Sequence, residues 1–279
     1  MSNPGDGAAA TGQKQEQGQA AAQGQTQAQP PSGPHIQVTK SGPYQVTGHI
    51  PLDEQIIHQV HLHNEFMPGR EIPQADVYSL CRCGGSHNAP FCDGTHMRNH
   101  FEGTETADMR PFADRIADTA VGHTMTLLDD DRCAYVRFCH REPGDVWQLT
   151  ENDNNPENRH EAIVGVSQCV AGRLVEVDKD GNPIEKPYQP EIVILQDQPE
   201  SVSGPIWVKG PIPMTSAEGK EYEVRNRMAL CRCGRSDDKP FCDATHVRTE
   251  FRDSSVKAEY EQPRERPVGF AAKSEAGAA

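Results

Sequence analysis

Long apolar runs are missing from this 279-residue chain, and only 35% of its residues are hydrophobic and 6% aromatic. No stretch approaches the ~20 apolar residues that span a bilayer, so the sequence predicts a soluble protein without a membrane segment. Basic residues are also scarce: 27 Lys and Arg face 41 Asp and Glu, a net charge of −14. That balance argues against nucleic acid, whose phosphates need basic patches, and favours a partner with a basic face. No basic start followed by an apolar run marks a secretory signal. Also missing are a nucleophile–base pair, a glycine-rich phosphate loop and a paired acid–base carboxylate motif, so the chain reads as a non-enzyme.

The nine cysteines are far from scarce. Six of them, with two histidines, form a repeat. Residues 81–96 read C-R-C-G-G-S-H-N-A-P-F-C-D-G-T-H, and residues 231–246 read C-R-C-G-R-S-D-D-K-P-F-C-D-A-T-H, an offset of 231 − 81 = 150. Cys81, Cys83, Cys92 and His96 thus recur as Cys231, Cys233, Cys242 and His246. Three thiolates and one imidazole per copy are soft ligands for zinc or for the iron of a cluster. Such tight spacing, without a leader, points to reduced thiolates in a cytoplasmic protein rather than to disulfides.

The pattern resembles the CDGSH iron-sulfur family, the mitoNEET-like proteins, whose signature is C-x-C-x2-S/T-x3-P-x-C-D-G-S/A/T-H. The first copy matches throughout, and the second departs at Ala244. The resemblance implies one 2Fe-2S cluster per copy. Cys81 and Cys83 would hold one iron, and Cys92 and His96 the other. Cys231, Cys233, Cys242 and His246 would do likewise. Such sites serve electron transfer or cluster transfer, with a redox protein or an apo-iron-sulfur acceptor as partner. A zinc-stapled structural module without redox activity is the alternative, since the ligand types permit a closed tetrahedral ion. A neutral imidazole ligand raises a cluster's potential relative to thiolate, and an outer ring nitrogen facing solvent can couple electron uptake to proton uptake. That reading applies to His96 and His246 alike.

Around the ligands, Asp93 and Asp243 can cap the turns that carry Thr95 and Thr245, while Ser86 and Ser236 order the first cysteine loop. Pro90 and Pro240 stiffen the approach to the third cysteine. The same residues are ordinary turn formers, so turn chemistry alone also accounts for them. Ala244 replaces a glycine where positive φ is useful.

The repeat extends upstream. Ser41-Gly42-Pro43 with Ile50 and Pro51 returns as Ser203-Gly204-Pro205 with Ile212 and Pro213, an offset of 203 − 41 = 162. The first copy therefore holds 162 − 150 = 12 extra residues before its ligands, expected in a surface loop. Strands are predicted at 44–50, 77–80, 206–212 and 227–230. A unit of roughly 60 residues is marginal alone, and two copies suggest an internal pseudo-dimer in a monomeric chain.

Cys133, Cys139 and Cys169 lie between the copies, and the run around them resembles a divergent mono-cluster ferredoxin with strands at 124–128 and 174–177 and a helix near 160–168. This implies a 3Fe-4S or 4Fe-4S cluster; the other reading places the three cysteines in a core. The expected fold class is a small β-rich α+β protein with two CDGSH-type metal-stapled units and a ferredoxin-like insert. Its expected divisions are a disordered tail at 1–34, a first unit at 35–102, a middle domain at 103–198, a second unit at 199–256 and a flexible tail at 257–279. His58, His61 and His63 read as a solvated segment, with His61 and His63 on one strand face. His87 faces Asp237 in the repeat and is no ligand, and Trp147 and Trp207 read as core residues.

Overall fold

Strand β1 (His35–Val38) buries Ile36 and Val38 and turns outward His35 and Gln37, the two-residue alternation of a half-buried strand. The computed structural model describes residues 33–255, so most of the expected N-terminal tail and all of the 257–279 tail lie outside the described residues. At Thr39–Pro43 the chain reverses into β2 (Tyr44–Thr47), antiparallel to β1 with Ile36 opposite Val46. Strand β2 then pairs with β5 (Val77–Leu80), the strand that delivers Cys81.

The second copy repeats this plan with longer strands. Strand β11 (Glu191–Asp197) runs antiparallel to β12 (Val202–Lys209), and β12 pairs with β14 (Arg227–Leu230), which delivers Cys231. The predicted strand at 206–212 is displaced toward the N-terminus, because this hairpin turns at Gln198–Ser201 and leaves Ser203-Gly204-Pro205 inside the strand. In the first copy the same tripeptide borders the turn.

The two copies exchange strands. Beyond Ile50-Pro51, β3 (Leu52–Val60) leaves its own sheet and lies parallel to β11, with Leu52 opposite Ile192. Beyond Ile212-Pro213, β13 (Met214–Thr215) lies parallel to β1, with Met214 opposite Ile36. The result is one four-stranded sheet ordered β13-β1-β2-β5 and one five-stranded sheet ordered β14-β12-β11-β3-β4. A single apolar cluster joins Ile36, Tyr44, Val46 and Leu52 of the first copy to Ile192, Ile206, Ile212 and Met214 of the second. Each such fully buried aliphatic side chain contributes about 1.5–3 kcal/mol, and here neither copy can bury its share without the other.

The 12 extra residues do not form a surface loop. They lengthen β3 and supply β4 (His63–Pro68), the edge strand of the larger sheet. The expected pairing of His61 and His63 on one strand face also fails. His61 sits in the hairpin turn at φ 49°, whereas His63 opens β4 between Glu65 and Glu142. His58 contacts the Gln198 side chain at 2.7 Å.

Between the copies, β6 (Asp118–Val121), β7 (Met125–Asp129) and β10 (Leu174–Asp178) form an antiparallel sheet ordered β10-β7-β6. Strands β8 (His140–Arg141) and β9 (Gly144–Asp145) make a short ribbon. Helix α2 (Val146–Glu151) starts at Asp145, whose carboxylate accepts the Gln148 N–H, and α3 (Pro156–Ser167) starts at Asn155 with proline in its first position. Those caps set the helices earlier than the expected 160–168. Trp207 is core at 2% exposure, whereas Trp147 is half-buried beneath Arg173. The fold is a small β-rich α+β structure, and among the described residues no helix is long and apolar enough to cross a membrane.

Candidate metal centres

Each ligand set grows from one folded-back loop. Cys81 N–H bonds the Pro90 carbonyl and Cys92 N–H bonds the Ser79 carbonyl, both at 2.8 Å, which brings the first and third cysteines side by side. In the second copy Cys231 N–H reaches Pro240 O at 2.8 Å and Cys242 N–H reaches Ala229 O at 2.9 Å. Pro90 and Pro240 both follow cis peptide bonds. Ser86 Oγ donates to Phe91 O at 2.6 Å and accepts from Asn88 N at 3.0 Å, and Ser236 repeats both bonds with Phe241 and Asp238 at 2.7 and 3.0 Å.

The aspartates tie the loop to the histidine helix. Asp93 accepts the N–H groups of His87 and Thr95 at 2.9 and 3.0 Å, and Asp243 those of Asp237 and Thr245 at 2.8 and 3.0 Å. These bonds hold the Asp93 carboxyl well below the usual carboxylate range, and Asp243 is held low by the same bonds against the opposing effect of burial. Arg98 and Arg248 donate to Thr95 Oγ1 and Thr245 Oγ1 at 2.7 and 2.6 Å. Helices α1 (Thr95–Arg98) and α4 (Thr245–Arg248) therefore present His96 and His246 identically. Ala244 adopts φ 67° where Gly94 has 80°, so the departure from the motif preserves the backbone and accepts a left-handed alanine.

The donors come together in pairs. Cys81 Sγ lies 3.8 Å from Cys83 Sγ, and Cys231 Sγ lies 3.6 Å from Cys233 Sγ. Cys92 Sγ is 3.3 Å from His96 Nδ1, and Cys242 Sγ is 3.3 Å from His246 Nδ1. Two thiolates on one tetrahedral ion, at ~2.3 Å each, stand about 3.8 Å apart, and a thiolate and an imidazole nitrogen at ~2.0 Å stand about 3.5 Å apart. Both separations fit. Within each C-x-C pair the sulfurs share a proton: Cys83 is pulled down to about 6 by the Cys81 thiol, and Cys231 to about 6 by Cys233. A metal ion held by the two cysteines would displace that proton to solvent. Among the described residues no three His, Cys, Asp or Glu side chains converge on one ion.

The two centres adjoin one another. A Cβ on Gly84 would stand 2.5 Å from the Cys233 carbonyl oxygen, and one on Gly234 would stand 2.6 Å from that of Cys83. Both glycines have positive φ. Tyr44 of the first copy donates its hydroxyl to the carbonyls of Cys231 and Pro240 at 2.8 and 2.9 Å. Sequence reasoning missed these crossed contacts, although the Gly after each C-R-C was visible in the repeat.

Their surroundings differ. In the second set Cys231, Cys233, Cys242 and His246 are only 1, 5, 3 and 2% exposed. In the first set Cys81 is buried at 7%, while Cys83, Cys92 and His96 are half-exposed. The expectation that both histidines turn an outer nitrogen to solvent therefore fails for His246, whose Nε2 is buried without a hydrogen-bond partner among the described residues. Burial, then Arg232 and Arg137, push its imidazole down to about 4. The cover is the middle segment: Ala134, Val136, Phe138 and Val170 pack in one cluster with Cys242.

Cys133, Cys139 and Cys169 are half-buried, and near enough that Cys139 feels the charge of the other two and Cys169 that of Cys133. Burial first, then Cys169 and Cys133, push Cys139 up to about 12. Their loop turns through left-handed Asp131, Tyr135 and Arg137, and Tyr135 N–H points at Cys133 Sγ at 3.3 Å. Cys133 and Cys242 line one cleft of about 450 Å³.

Residues 41–97 and 203–247 match the family model described as iron-binding zinc finger CDGSH type. No curated protein and no solved structure gives a significant match to the chain. Both ligand loops therefore lie in segments similar to the CDGSH type of iron-binding zinc finger, in tandem along the chain.

Proposed function

We propose that this protein holds two 2Fe-2S clusters, each on three cysteines and one histidine, and acts without catalysis of its own as a carrier of electrons or of clusters. The observation that carries this reading is the grouping of donors two by two. A single zinc ion would draw all four donors to within about 4 Å of one another. The donors instead form a Cys–Cys pair and a Cys–His pair, and no trio among the described residues converges on one ion. Two metals bridged by sulfide suit that grouping, and this weighs against the zinc-staple alternative.

Such a cluster supplies a one-electron couple when bound. The chain's own residues do the rest: the cysteine pairs would lose their protons to solvent and bind the metal as thiolates, and Asp93 and Asp243 fix the turns that aim the histidines. The half-exposed His96 side is the face a redox protein or an apo-iron-sulfur acceptor reaches. With a net charge of −14, a partner with a basic face fits better than nucleic acid. Reduced thiolates suit the cytoplasm. The shared core favours a monomer that carries its own pseudo-dimer.

A third cluster, of the 3Fe-4S or 4Fe-4S type, on Cys133, Cys139 and Cys169 belongs to the same proposal. Left-handed Tyr135 in this loop points its backbone N–H at Cys133 Sγ, a contact of the kind that anionic clusters favour. Visible absorption and EPR of the dithionite-reduced protein test the whole reading. A reducible 2Fe-2S signal supports it, and a colourless protein loaded with zinc overturns it. Incubation with an apo-ferredoxin then separates cluster donor from electron carrier.

A further inference from the structure

The repeat places arginine between the first two cysteines of both copies, Arg82 and Arg232, and both are buried at 2 and 4% exposure. Their charges are handled differently. Arg232 is satisfied at every nitrogen: it donates to the carbonyls of Gly204 and Leu195 at 2.7 and 2.8 Å and pairs with the buried carboxylate of Asp253. Arg82 donates one bond, to the Gly103 carbonyl, while its Nε and Nη1 have no partner among the described residues. It lies over the rings of Tyr44 and Phe101, 5.7 and 5.2 Å from their centroids.

The cause is one position in the repeat. Subtracting the ligand offset, 253 − 150 = 103, so glycine stands in the first copy where the second has its aspartate. Glu102 and Glu105 of the same segment do not replace it. Glu102 bonds Thr104 in solvent, and Glu105 takes the Ala217 N–H and the Tyr222 hydroxyl. Among the described residues no carboxylate pairs with Arg82.

We infer that Arg82 makes the first metal centre the site where an added electron comes to rest, and that the two centres reduce in two separate steps. The inference rests on the iron-sulfur reading above. Reduction adds one negative charge and is favoured by a nearby uncompensated cation in a low-dielectric surround. At the second centre Arg232 is neutralised by Asp253, and Arg137, the other cation facing His246, by Asp197 at 2.7 Å. Burial there further disfavours added charge. A soluble one-electron reductant thus gives its electron first to the centre on Cys81, Cys83, Cys92 and His96. The reductant loses one electron, and no bond or proton need move. The electron then sits on the half-exposed side, where a partner collects it.

The test is an EPR-monitored dithionite titration of the cluster-loaded full chain. His96→Cys, which changes the signal of the first centre alone, assigns the steps. The expected result is two one-electron steps, the first centre reducing at the higher potential. Asp253→Asn, which frees Arg232, moves the second step upward and leaves the first in place. Arg82→Gln moves the first step downward. Asp253→Asn keeps the inference testable should Arg82→Gln fail to fold. Coincident steps in the wild type, or an unmoved second step in Asp253→Asn, overturn the inference while the iron-sulfur reading stands. A zinc-loaded, unreducible chain overturns both.

Discussion

Tyr44 of the first copy donates its hydroxyl to the backbone carbonyl of Cys231 in the second, 2.8 Å away, so the core of one repeat holds the ligand loop of the other. The second repeat has Ile206 at the matching place, 44 + 162 = 206, and offers nothing in return. Tyr44→Phe removes the hydroxyl donor from the Cys231 carbonyl, while the Pro240 carbonyl keeps the Cys231 N–H, at a cost of about 1–3 kcal/mol. Urea denaturation of the loaded protein should show that loss. An unchanged midpoint would mean that the crossed bonds carry no stability.

Gly84 and Gly234 are where the two centres touch. An alanine at either meets the opposite copy's carbonyl and a positive φ as well. The left-handed conformation alone disfavours alanine by about 1–2 kcal/mol, and overpacking adds about 1–3. Gly84→Ala is expected to lower stability by about 2–5 kcal/mol and to weaken metal retention in both centres, read from denaturation and bound-metal content. A loss confined to the first centre would show that the loops do not buttress each other.

Ala244 carries the opposite prediction. At φ 67° it occupies the conformation that Gly94 takes in the first copy, so Ala244→Gly should gain about 1 kcal/mol and Gly94→Ala should lose about as much. Thermal unfolding of the pair measures both signs, and equal signs would contradict the shared geometry.

Burial separates the centres kinetically. Cys83, Cys92 and His96 are half-exposed, whereas every ligand of the second set is at most 5% exposed. An iron chelator should therefore bleach the protein in two phases, fast for the first centre and slow for the second. A single phase would mean that the cover formed by Val136, Phe138 and Val170 opens freely.

Glu176 gives a pH dependence away from the metal. It is 1% exposed, and among the described residues its carboxyl bonds only Thr150 and leaves Oε2 without a partner. Burial raises its carboxyl to about 7, with Asp153 adding to the rise and Thr150 opposing it. A folded pKa above the unfolded value means that the protonated form suits the fold. Its stability is full below about 4.5 and is lost as pH rises through about 7. The loss is on the order of 3 kcal/mol. Urea midpoints at pH 4.5 and 8 should differ for the wild type and converge for Glu176→Gln.

The ligand sets were legible because cysteine spacing is a local signal: Cys81 to His96 and Cys231 to His246 needed no tertiary information. Strands 77–80 and 227–230 were also read to the residue, since each leads directly into the first cysteine of its motif. The strand exchange was not legible. Nothing in Leu52–Val60 says that it pairs with Glu191–Asp197 rather than with its own copy, because partner choice is decided by non-local packing. The extra 12 residues misled for the same reason: an insertion looks like a loop until a sheet edge receives it. The burial of His246 depends on the middle segment folding over one copy alone, which a repeat cannot reveal. Gly103 opposite Asp253 was visible in the offset, yet it had meaning only once Arg82 was seen to be buried.

Metal and acid-labile sulfide counted together on the purified full chain test the central claim most directly. Four irons and four sulfides per chain without zinc are predicted for the two Cys3His centres, with any excess lost on Cys139→Ser. Two zincs with no sulfide would contradict the account and leave two metal-stapled loops without a redox role.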